Sequence, residues 1–194
     1  MLMPMFDPNT YGPAIGPLLK EPRLMPLGPG GPNLDAQSEL KSLTRERAFG
    51  SETVRDEGMA RCCLAGLWLY HDFLDESHKL SQEIQTSSGS YWHGLMHRRE
   101  PDYSNAKYWF RKVGAHPIFD SLKTATKQIV SSDLPASRQF LAQQTAWDPF
   151  GFINLCEKAA GSDLEMLCRQ IQQREWELLF DYCFRTATGK SELS

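Results

Sequence analysis

The chain has 194 residues, 41% of them hydrophobic and 23% charged, with a formal net charge of −3. That length fits one domain with a sizeable core and no need for covalent staples. The near-neutral balance of 21 basic against 24 acidic residues gives no positive field for nucleic acid or a membrane surface. The uneven count is histidine: all five lie between His71 and His116. A random scatter would place five that close only about 1% of the time, so the cluster is the feature to follow.

Residues 1–33 carry eight of the twelve prolines and five of the fourteen glycines. Each proline lacks an N–H and pushes its predecessor away from helix, so the stretch reads as an extended or turning arm. Phe6, Leu18, Leu19, Leu24, Met25 and Leu27, with Leu2, Met3 and Met5, suit docking across the domain or across a second subunit. A homodimer joined through the arm is one expectation.

From residue 34 the pattern is helical and strand signals are scarce. Helices are expected over 35–48, 52–86, 90–99, 102–113, 117–131, 136–144, 149–160 and 163–186, the second with a break near Glu57-Gly58. Residues 34–188 thus read as one all-α multi-helix bundle, followed by a tail at 189–194. Asp148-Pro149 is an N-cap with proline in the first turn, and Gly161 is a stop. Ser162-x-x-Glu165 has the spacing of a capping box, and Gly114 closes the helix 102–113.

Within the expected helix 52–86, positions i, i+4 and i+7 align His71, Asp75 and His78 on one face. His71 and His78 stand about 10.5 Å apart along the axis, too far to share an ion, so each competes to join Asp75. The next helix carries His93 and His97 at i, i+4, the spacing a helical metal site uses, with Glu100 at i+7. Gly94 replaces the glutamate of H-E-x-x-H, which excludes the metzincin pattern and opens room for a close neighbour. On the last helix Glu175 falls near the centre of an apolar stripe containing Ile171, Leu178 and Leu179. A carboxylate there is either ion-paired with an arginine or serves as a ligand or general base, and in neither case is it free in solvent. Arg98, Arg99, Asn105 and Trp109 are candidates for holding an anionic or sugar-like ligand beside the histidines.

The run GSYWHGLMHRREPDYSNAKYWFRKVGAHP, with HDFLDESH upstream and REWELLFDYC near the C-terminus, resembles a family of uncharacterised, mostly bacterial proteins that share a YWHG-x-MHRRE-x-D core. The resemblance spans roughly 60–120 and 147–184. It implies that His71, His78, His93, His97, Arg98, Arg99 and Glu100 travel together, and it brings no activity with it.

The composite expectation is a helical metalloenzyme, a metal-dependent hydrolase or non-haem oxidase acting on a polar or anionic small molecule. His93, His97, Asp75, His71 and His78 supply the candidate ligands, and Glu175 or Glu100 the base. Nitrogen and oxygen donors suit Zn, Fe or Mn. The alternatives are a metal-free pocket for an anionic or sugar-like molecule, or a scaffold that associates through its arm. No nucleotide motif is present. Cys62, Cys63, Cys156, Cys168 and Cys183 form neither a disulfide pattern nor a cysteine zinc site, and with no leader or membrane span the reading is cytoplasmic.

Overall fold

The computed structural model describes residues 6–130 and 141–190, and among these every regular element is helical. A 3₁₀ turn, Pro8–Tyr11, leads into α1 (Gly12–Leu19). Then follow α2 (Leu34–Ser42), α3 (Arg45–Phe49), α4 (Glu57–Tyr70), α5 (Leu74–Ser81) and α6 (Ser87–Arg99). The remainder is α7 (Tyr103–Val113), α8 (Phe119–Ile129), α9 (Pro149–Ala159) and α10 (Glu165–Thr188). No helix among the described residues is long and apolar enough to cross a membrane.

α6 is the axis of the fold, with every residue from Ser88 to Arg99 buried. Small residues let its neighbours close on it. A Cβ on Gly66 of α4 would lie 2.8 Å from the Trp92 ring, and one on Gly94 would lie 2.8 Å from Phe110 of α7. The approach expected at Gly94 is therefore made, by a helix. α10 closes the opposite side, where Trp176 donates its indole N–H to the Gly66 carbonyl at 2.9 Å and stacks on Phe180. The five cysteines are all buried and unbridged.

Several expected ends hold. Asp148 accepts from the N–H groups of Phe150 and Gly151, and Gly114 and Gly161 take positive φ at +63° and +73°. The capping box is displaced. Ser162 Oγ accepts from Leu164, while the Glu165 carboxylate reaches back to Gly161 N–H. Of the helix expected over 136–144, residues 136–140 lie outside the described residues, as do 1–5 and most of the tail, 191–194.

Three expectations are corrected. The extended arm contains a helix, α1. Pro13 sits in its first turn, where no N–H is needed, and Pro17 lies one turn on, so only one internal bond is lost. Tyr11, Ile15, Leu19 and Met25 join the main core, so the segment packs on its own chain. The helix expected over 35–48 divides at Leu43-Thr44, because Thr44 caps α3 by accepting from Arg47 N–H. The helix expected over 52–86 begins only at Asp56, its N-cap, and breaks at 71–73 instead of near Gly58. Asp72 there has φ +63°, and its carboxylate pairs with Arg23 and Arg99. The break rephases α5, which separates the faces of His71 and His78.

Candidate metal centre

α5 and α6 run against one another, and α7 packs along α6. This brings His78 of α5 together with His93 and His97 of α6. One ring nitrogen from each lies within 4.8 Å of those of the other two. His93 and His97 are buried and His78 half-buried, so the group opens outward on the α5 side.

The second ring nitrogens decide what the first ones can do. Ser81 Oγ donates to the His78 carbonyl at 3.3 Å, which leaves its lone pairs for His93 Nδ1 at 2.9 Å. With the hydroxyl proton on the His78 carbonyl, His93 carries its own proton on Nδ1. At His97 the partner of Nδ1 is the Glu100 carboxylate, 3.1 Å away, an acceptor only. His97 too carries its proton on Nδ1. In that arrangement both imidazoles keep an unprotonated Nε2, each ring steadied by an outer partner in the manner of metal-ligating histidines.

The electrostatics agree. Burial, with His97, His78 and Lys112 adding positive charge nearby, pushes the His93 pKa down to about 3. Burial also lowers His97, helped by His78 and opposed by Glu100. Near neutral pH these two rings present lone pairs, not charges. Trp109 of α7 covers the back of His93, ring centroids 4.0 Å apart.

The remaining candidates go elsewhere, each for a visible reason. His71 has both nitrogens in use. Nε2 donates to the Leu18 carbonyl at 2.9 Å, and Nδ1 accepts from Asn33 Nδ2 at 3.0 Å. It ties the N-terminal segment to the end of α4, and burial lowers its pKa to about 4. Asp75 is exposed on the first turn of α5 and does not join the histidine group. His116 accepts from Ile118 N–H at Nδ1, so Nε2 donates to Ser88 Oγ at 3.0 Å. That polarity makes Ser88 an acceptor and excludes a Ser–His nucleophile there.

Glu175 is fully buried, as its place in the stripe requires, and it is the ion-paired alternative that holds. Tyr91 donates to Oε1 at 2.9 Å and Arg98 pairs with Oε2. Both oxygens are thus engaged within the core, and Glu175 does not belong to the histidine group. Arg98 and Arg99 are only 1% exposed, so they do not form a ligand pocket beside His97. Arg99 instead binds Asp72 and the carbonyls of Gly28 and Pro29. Asn105 is exposed and donates to Asp102, the cap of α7. Glu100 does reach the site, as the anchor of His97.

Sequence reasoning missed Ser81, which orients His93, and Asp72, which breaks the helix. Ser81 lies three residues beyond His78, a spacing that marks a shared helical face. The chain matches no family model, no curated protein and no solved structure.

Proposed function

We propose that the chain is a helical metalloenzyme that holds one divalent cation on His78, His93 and His97 and hydrolyses a small polar or anionic molecule. The observation that carries this is the histidine group itself, one ring nitrogen of each within 4.8 Å of the others, with Ser81 and Glu100 engaging Nδ1 of His93 and His97. Three nitrogen ligands and an open position form the donor set of catalytic zinc, whose bound water titrates near neutrality. Among the described residues the group consists of three histidines, a set that differs from the two-histidine, one-carboxylate pattern of non-haem iron. A bound ion would be held by the three ring nitrogens, and half-buried His78 would be the member of the triad with room to adjust to it.

Metal analysis of protein purified without a histidine tag and reconstituted with Zn, Mn or Fe(II) tests the reading. About one ion per chain is expected, falling to near zero in His93→Ala. A wild-type protein that retains no ion after reconstitution overturns it.

A further inference from the structure

Beside the triad lies a cleft of about 310 Å³ that the metal reading does not use. Its walls come from the loop after α5 (Gln82, Gln85), the first turn of α6 (Ser87, Ser90) and α7 (Trp109, Lys112). Trp109 is the shared partition, lining the cleft and covering His93. Ser90 and His93 are three residues apart on α6, roughly 4.5 Å along its axis.

Three features give this cleft one chemical preference. α6 is thirteen residues long, and the N–H groups of Ser87 and Ser88 in its first turn have no intrahelical acceptor. They put partial positive charge at the cleft. Ser90 is only 7% exposed, lines the cleft, and its hydroxyl has no hydrogen-bond partner among the described residues. Its oxygen is reached from the cleft, so it is available to an entering group. Lys112 extends its ammonium over Trp109 at 4.4 Å and Tyr108 at 4.9 Å, with no carboxylate partner among the described residues. Helix end, hydroxyl and ammonium together suit an oxyanion, and the Gln82 and Gln85 amides suit polar groups next to it.

We propose that the cleft binds the carboxylate or phosphate end of the small molecule on which the metal centre acts. The role as a substrate site rests on the metal reading; the oxyanion binding does not. Full-length protein stripped of metal and then of chelator is titrated with inorganic phosphate and, separately, with acetate. Backbone amide shifts of Ser87, Ser88 and Ser90 are the readout.

Saturable shifts at these amides are expected. The Kd should rise roughly tenfold in Lys112→Met and severalfold in Ser90→Ala, as the loss of a charged and a neutral contact implies. Lys112 is exposed, so Lys112→Met should unfold at the same temperature as wild type. A response to phosphate alone identifies a phosphate ester, and a response to acetate as well identifies a carboxylate. Absence of saturable shifts, or shifts indifferent to Lys112→Met, overturns the site even if the triad binds its ion. Saturable shifts in a protein that takes no ion leave the oxyanion site standing and remove its role as a substrate site.

Discussion

Charge in this protein is sorted residue by residue along α6. His93 and His97 face α5 as neutral imidazoles, Arg98 turns inward to Glu175, and Arg99 turns to Asp72. The buried histidines outside the triad set a pH dependence. His116, lowered to about 4 by burial alone, and His71, also near 4, are neutral when folded and titrate near 6.5 when unfolded. Their folded pKa values are depressed, so the unfolded chain binds the extra protons. Their contribution is complete above about 6.5 and is lost as pH falls toward about 4, on the order of 2 kcal/mol each. Urea midpoints should drop between pH 7 and pH 5, before carboxylates titrate, and His116→Gln should flatten that slope. An unchanged slope in the variant contradicts the assignment. The i, i+4 pairing of His93 and His97 was legible because it is local to one helix. The choice between His71 and His78 was not, since it depends on where the helix breaks. Nor could sequence orient Arg98 and Arg99, whose directions are set by partners 77 and 27 positions away.

At the scale of the element, the site depends on how closely α7 lies on α6. Gly94 sits between the two site histidines, and the atom a Cβ would meet is Phe110, itself 1% exposed and unable to yield. Gly94→Ala should therefore overpack the contact and cost about 1–3 kcal/mol. In a chain of this size that lowers Tm by about 2–10 °C, measurable by circular dichroism. Trp109 Cβ lies 3.5 Å from the same position, so the shift is transmitted to the ring against His93, and metal affinity should fall with stability. A variant with wild-type Tm shows that the two helices can part without strain. Helix ends such as Asp148-Pro149 and Gly114 were legible because a cap is chemistry among neighbours. The breaks at Leu43-Thr44 and 71–73 divided what looked like continuous periodicity. The second depends on Asp72 finding Arg23 and Arg99, and no local window contains that information.

At the scale of the whole molecule, the proline-rich N-terminal segment is a structural part of the domain. Its composition alone would allow disorder, yet Tyr11, Ile15, Leu19 and Met25 are buried in the core. Its carbonyls are the acceptors for interior side chains. Gly28 and Pro29 receive Arg99, Leu24 and Met25 receive Arg169, and Pro26 receives Gln172. Removing residues 1–33 strands those donors and uncovers α10, so the shortened chain should lose its cooperative thermal transition. A truncated protein that melts like the full chain would return the segment to the status of an accessory arm. The same long-range closure imposes an order on synthesis. The segment leaves the ribosome some 145 residues before Arg169 and about 170 before Asp181, which accepts from the Tyr11 hydroxyl. At 5–20 residues per second the wait is roughly 7–30 s, during which Tyr11 lacks its partners Phe180, Asp181 and Phe184. A chain ending before Trp176 would lack the α10 rings against which Tyr11 packs, Phe180 and Phe184, and so would leave this part of the core unfilled.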